Sequence, residues 1–176
     1  LKEKGATGIQ GEFGIGLLSF WTVGETLSIT STGREGLTQR MLLVKGDPAF
    51  SIRDAATLFP QTGTELHIRP ILAGVRQLSG EKIQNYLASE LRDRIAKSGV
   101  RIRIADRTSR RELIVEPRKF HGRLLHGLPE IASPLGEVYA ELYISQRSAE
   151  NQVGLYKNGT RIIPDLTTID RFRQFP

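Results

Sequence analysis

The sequence predicts an α+β chain. Three observations carry this: a glycine-punctuated stretch runs into apolar residues, several β-branched runs alternate with period two, and in one segment apolar residues recur every four positions. Residues 1–10 are polar, contain Gly5 and Gly8, and show no apolar period, which reads as a loop. Gly11-Glu12-Phe13-Gly14-Ile15-Gly16 then leads into Leu17-Leu18-Ser19-Phe20-Trp21, a loop feeding a helix over about 14–23 that Gly24 ends. Phe20 and Trp21 read as core residues of that helix rather than as a stacking platform. Thr26 to Ser31 and Leu37 to Val44 read as strands, Phe50 to Arg53 as a third. Thr64 to Pro70 alternates, with Leu66 and Ile68 on one face and His67 and Arg69 on the other, and Pro70 closes it.

The strongest helix spans Ser79 to Ser98. Ile83, Leu87, Leu91 and Ile95 recur every four residues with Tyr86 alongside. Ser79 is placed as N-cap, Glu81 sits in the first turn, and Lys97 and Gly99 close the helix. Strands follow at 100–105, 112–116, 137–144 and 152–157, and Asn158-Gly159 joins the last to Arg161-Ile162-Ile163 as a hairpin. A domain boundary is expected near Asp106 to Arg111. The chain opens at Leu1 and its one Met is Met41, which reads as a piece of a longer protein.

Composition narrows the chemistry. In 176 residues, 25 Lys and Arg stand against 19 Asp and Glu, for a net charge of +6. With 39 % hydrophobic residues the chain is globular in composition. Cysteine is absent, which excludes disulfides, thiol catalysis and cysteine-bound zinc, and fits a reducing, cytoplasmic setting. No apolar run approaches the roughly 20 residues of a membrane helix, so no membrane partner is expected. His67, His121 and His126 are too dispersed for a local metal site, and no metal ligand is assigned in the chain.

On spacing alone, Gly11-x-x-Gly14-x-Gly16 is either a tight turn with close helix packing or a ligand loop. No apolar strand precedes it, which removes a dinucleotide fingerprint, and no Gly-Lys-Ser/Thr follows, which removes a Walker loop. The longer string does more. Gly11-Glu-Phe-Gly-Ile-Gly-Leu-Leu-Ser19, a strand, and then Gly63-Thr64 opening another strand resembles the GHKL ATPases, the superfamily of the ninety-kilodalton heat-shock chaperones, MutL proteins, type II topoisomerase ATPase subunits, MORC proteins and histidine kinases. Phe13 and the Leu-Leu-Ser after the glycines look most like the heat-shock branch.

That resemblance implies a layered α/β sandwich of the GHKL (Bergerat) type, incomplete at its N-terminus. Residues 1–106 would be the C-terminal part of the ATP-binding domain and 107–176 the start of a transducer-like domain. It implies that Gly11, Phe13, Gly14, Ile15 and Gly16 cradle the triphosphate, with glycines admitting the phosphates and free N–H groups donating to them. Glu12 stands where the chaperones usually carry Gln. Thr64 would help hold the adenine through water, and Lys4 lies in what would be the tail of the lid. The stretch from Val153 to Ile163 resembles the Val-Asn-Gly-Arg turn of MutL-type transducers.

The cofactors implied are ATP and Mg2+, with a homodimer as the assembled state. In the family the catalytic Glu, the magnesium-binding Asn and the adenine-reading Asp precede the lid, so they would lie before Leu1, and no catalytic residue is assigned in the chain. Glu81 and Asn85 have the Glu-x-x-x-Asn spacing but follow the glycine loop, and read as surface residues.

A second reading, from a different class, is a non-catalytic nucleic-acid-binding or scaffold module. Arg101, Arg103, Arg107, Arg110, Arg111, Arg118, Lys119 and Arg123 outnumber Asp106, Glu112 and Glu116, concentrating the positive charge in 101–126. A solvated sheet edge explains the same run, and is the favoured account of it. Under the leading reading, residues 1–176 alone bind ATP weakly or not at all. Calorimetry that finds micromolar affinity overturns this.

Overall fold

The computed structural model describes residues 15–56, 61–75, 78–126, 128, 131–134, 136–148, 151–157 and 159–173. It is an α+β protein whose sheets are all antiparallel, and it divides into two compact units, Leu1–Leu78 and Ser79–Pro176. Residues 106–111, where the sequence reading expects a boundary, form the turn of a hairpin within the second unit.

The first unit is one four-stranded sheet. It comprises β1 (Gly24–Thr32), β2 (Thr38–Val44), β3 (Phe50–Asp54) and β4 (Gly63–Ile71), in the order β3-β2-β1-β4. β4 runs one residue beyond Pro70, and the β1–β4 ladder passes over this proline, which has no N–H to give. The register brings Ile68, Leu27, Leu43 and Phe50 into one row, and Leu66, Ile29, Met41 and Ile52 into the next, on the same face. His67 and Arg69 fall on the opposite face, across from Ser28 and Thr26. Leu27, Leu43 and Phe20 form the buried core, with Trp21, Ile29, Met41 and Ile68 packed around it.

Phe20 belongs to the segment Ile15–Thr22, which is a 3-10 helix where the sequence reading expects an ordinary one. Eight residues are short for an α-helix to sustain itself. Here the hydroxyls of Ser19 and Thr22 donate to the carbonyls of Gly16 and Ser19, at 2.7 and 2.8 Å, and the Val23 N–H closes on Phe20 O at 2.8 Å. These three-residue links match the tighter winding.

The second unit is built on helices that the four-residue period describes as one. α1 (Gly80–Glu90) and α2 (Arg92–Ser98) are interrupted at Leu91, whose ψ is 17°. Tertiary hydrogen bonds account for the break. Ala88 O accepts from Arg118 N at 3.0 Å, and Arg94 N donates to Gly159 O at 3.3 Å. Each of these groups would otherwise bond within the helix. The helix ends are as the sequence predicts: Ser79 Oγ accepts from Lys82 N at 3.3 Å, and Gly99 takes the left-handed conformation with φ 67°. Tyr86 is exposed rather than aligned with the apolar stripe.

β5 (Ile102–Asp106) and β6 (Arg111–Val115) form a hairpin on which α1 packs. Val115 is buried, and Ile102, Ile104 and Leu113 share its face through the register. Gln84 Nε2 of α1 donates to Ile114 O at 2.6 Å. Three short ladders complete the unit. β7 (Arg123–Leu125) pairs with β10 (Leu142–Ile144), β8 (Ile131–Ser133) with β9 (Gly136–Val138), and β11 (Leu155–Lys157) with β12 (Thr160–Ile163). The strand expected over 137–144 is therefore two strands with different partners. They part at 139–141, where Glu141 engages Arg92. β7 and β8 were not foreseen, and the expected hairpin turn appears with Gly159 at φ 75°.

Asp106 ties the hairpin to the helix start. Its Oδ1 accepts from Thr108 N and Ser109 N at 2.9 and 3.1 Å, and its Oδ2 from Gly80 N at 3.0 Å. The two elements approach so closely that a Cβ on Gly80 would lie 2.9 Å from Asp106 Cβ. The N–H groups of Ser109 and then Gly80 favour the ionised carboxylate and pull its pKa down to about 2. A carboxyl whose pKa is lower folded than unfolded stabilises the fold above its unfolded value near 3.8 and loses that contribution as pH falls toward 2. Asp106→Ala should therefore lower the urea midpoint at pH 5, and the difference from wild type should shrink steadily between pH 4 and pH 2. A constant difference across that range contradicts the linkage.

Candidate functional site

The nucleotide-contacting residues expected from the sequence fall in the first unit. Gly11, Glu12, Phe13 and Gly14 lie outside the described residues, as does Lys4. Ile15 and Gly16 open the 3-10 segment, so Gly16 is the part of the glycine string whose surroundings can be stated. No heavy atom lies within 4 Å of the position its Cβ would take, and its φ is not positive. Neither packing nor backbone geometry among the described residues requires glycine there.

The same holds for Gly63 at the start of β4. Both glycines stand at the beginning of their elements, and among the described residues the space in front of each is open.

Thr64 stands next to Gly63 and opposite Ser31 of β1, and the two hydroxyls are hydrogen-bonded at 3.0 Å. Gln39 and Asp54 continue this row across β2 and β3, with Gln39 Nε2 donating to Asp54 Oδ1 at 3.4 Å. The polar row lies on the same face as Leu66, Ile29, Met41 and Ile52, so the apolar face of the sheet ends in hydroxyl, amide and carboxylate groups beside Thr64. Ser31 is a site neighbour that sequence reasoning missed. Only the strand register brings it to Thr64. Phe20 and Trp21 are core residues as expected, with Phe20 3 % exposed and the two rings edge-on, their centroids 6.3 Å apart.

In the second unit several charged residues engage one another in ion pairs. Arg92 donates from Nε to Arg118 O at 3.1 Å, from Nη1 to Asp93 at 2.8 Å, and from Nη2 to Glu141 at 2.9 Å and Tyr143 at 3.4 Å. Its guanidinium lies 4.8 Å from the centroid of Phe120, which Arg118 also approaches at 5.7 Å. Burial pulls the Arg92 pKa down, but Glu141, Asp93 and Tyr143 together outweigh it and the net shift is upward. Burial, then the hydrogen bond to Glu141, raises the Tyr143 phenol, and burial likewise raises Tyr156. Arg161 makes two hydrogen bonds to Glu90 Oε1, at 2.9 and 2.6 Å, with both side chains 14 % exposed. A helical arginine followed by an acid was the only local sign of this cluster, and its partners arrive from distant strands.

The basic run at 101–126 is not one continuous surface. Arg103 faces Glu112 at 3.8 Å, Arg111 pairs with Glu81 at 2.6 Å, and Arg118 is turned onto Phe120 and Ser89. Glu81 and Asn85 are exposed, as the sequence reading has them. His67 contacts Glu65 at 2.8 Å on the sheet surface, and no group of three or more His, Asp or Glu among the described residues could hold a metal ion. No helix among them is long and apolar enough to cross a membrane. Compared with known proteins, the chain matches no family model, no curated protein and no solved structure.

The charged cluster acts on stability. Arg161→Met leaves Glu90 buried without its cation and should cost about 3–5 kcal/mol in urea unfolding. Adding Glu90→Met should recover most of that loss. A cost below about 1 kcal/mol for the single variant would put the pair in the class of exposed ion pairs.

Proposed function

We propose that the chain is an ATP-binding module of a GHKL-type conformational switch, chaperone-like or working in DNA transactions. The observation that carries this reading is that Gly16 and Gly63, the described glycines of the two resembling motifs, stand at the starts of a 3-10 helix and a strand with open space in front of them among the described residues and no positive φ. Glycines at such places suit the close approach of a ligand to the backbone. The element order agrees: glycine string, short helix, three-stranded meander, then a Gly-Thr strand returning to the far side of the first.

In this reading the backbone N–H groups of residues 11–16 bind the phosphates, and Ile15 and Gly16 among them open a 3-10 helix whose first donors have no partner within it. Ser31 fixes the Thr64 hydroxyl for a water-mediated contact with adenine. ATP would supply the differential affinity that favours one lid position over another. Hydrolysis is assigned to no residue of this chain, and no residue is offered as a magnesium ligand. Homodimerisation and a cytoplasmic setting belong to the same proposal. The alternative, a nucleic-acid or scaffold module acting through 101–126, has less support, because Arg103, Arg111 and Arg118 are already engaged within the second unit.

The test uses the polypeptide as its gene encodes it. Gly14→Asp places a carboxylate against the phosphates and should abolish ATP binding in calorimetry while leaving the thermal unfolding transition in place. Thr64→Val should weaken binding by several-fold up to about tenfold, the value of one modest hydrogen bond. Wild-type affinity in Gly14→Asp overturns the proposal.

A further inference from the structure

The opposite face of the four-stranded sheet carries an arrangement that the nucleotide reading does not use. The register sets Arg40 of β2 directly across from Arg53 of β3. Directly opposed residues of an antiparallel pair hold their Cβ atoms about 4.5–5.5 Å apart, and like charges placed so are destabilising. An acid is expected beside them, and among the described residues neither arginine has one. Glu65, the carboxylate in the same row, lies beyond Thr30 on β4 and is in contact with His67 at 2.8 Å. Asp54, next to Arg53 in sequence, pairs with Gln39 and so faces the other side of the sheet.

One further contact orients the pair. Arg40 Nε donates to the Thr30 hydroxyl at 3.1 Å, which anchors the guanidinium by its inner nitrogen. No bond to protein is recorded for its two terminal nitrogens among the described residues. A guanidinium anchored in this way presents a planar fork suited to an oxyanion. Ser51, two residues from Arg53 along β3, adds a hydroxyl on the same face. All of these side chains stand on paired strands, so their backbone positions are fixed before any ligand arrives.

We propose that Arg40 and Arg53, with Thr30 and Ser51 beside them, form a phosphate-binding site on the solvent face of the sheet. The phosphate oxygens bridge the two guanidiniums and their negative charge relieves the repulsion. The phosphate is either a free phosphoanion or a backbone phosphate of a nucleic acid. The site is separate from the Thr64 face and stands or falls independently of the nucleotide proposal.

Amide-resolved NMR of the chain, titrated with inorganic phosphate and separately with a short single-stranded oligothymidylate, tests it. Saturable shifts centred on Thr30, Arg40 and Arg53 are expected from at least one probe. Arg40→Gln and Arg53→Gln should each weaken binding by roughly tenfold or more, the worth of a charge-assisted hydrogen bond. Arg147→Gln with Arg171→Gln removes more charge from exposed places in the second unit and should leave the affinity within about twofold. Saturation by inorganic phosphate assigns the source as a free phosphoanion. Saturation by the oligonucleotide alone, with affinity falling steeply as salt rises, assigns it as nucleic-acid backbone. The proposal is overturned if neither probe saturates at these amides, or if the second-unit double variant weakens binding as much as Arg40→Gln does.

Discussion

The guanidinium of Arg92 is the point through which the second unit is organised. It stands at the first position of α2, just past the interruption at Leu91, and from there reaches Asp93, Glu141, Tyr143, the carbonyl of Arg118 and the ring of Phe120. Apart from Asp93 on the same helix, those residues come from one strand, β10, and from the irregular segments at 116–120 and 139–141. A neutral side chain there would leave Glu141 with the Tyr143 hydroxyl at 3.0 Å but without its cation, and a half-buried carboxylate stripped of its cation is costly. The Arg161–Glu90 pair repeats the device one residue before the interruption, tying α1 to the β11–β12 hairpin. Short ladders of three or four residues have little intrinsic stability. Two of them, β7–β10 and β11–β12, are tied to the helices by Arg92 and by the Arg161–Glu90 pair.

This division of labour explains what could be read from the sequence. Ser79 and Gly99 were legible as helix ends because capping is decided by side-chain and backbone chemistry within a few residues. The alternation in β4 was legible for the same reason. The break at Leu91 was not, because the groups that compete for the helix's own hydrogen bonds belong to Arg118 and Gly159. The Arg161–Glu90 pair, separated by 71 residues, was equally silent. Tyr86 fits the four-residue period well enough to be placed with the apolar stripe, and its exposure shows that period alone does not fix which face a neighbouring element covers.

Legibility of the site follows the same line. Gly16, Gly63 and Thr64 stood out because glycine and threonine in those strings carry a recognisable chemistry. Ser31 became visible only through strand pairing, as did the opposition of Arg40 and Arg53. The sheet therefore has two chemically distinct faces. One is apolar, grading into the hydroxyls of Ser31 and Thr64. The other carries Arg40, Arg53, Arg69 and hydroxyl side chains together with the exposed Leu42 and Val44, and its acid Glu65 contacts His67.

The strand order leaves β3 and β4 as outer strands, and each is exposed along its length apart from half-buried Ile68. Open rims of this kind invite another chain to extend the sheet, with aggregation as the usual result. β4 resists through Pro70, which cannot donate to an added strand. β3 carries Phe50 and Ile52, which would favour such growth, but a strand added beside it would have to accommodate Arg53 and its neighbour Arg40 on the same face. The opposed arginines thus act as gatekeepers of the rim, tolerating an acidic residue across from them and disfavouring a hydrophobic or basic newcomer.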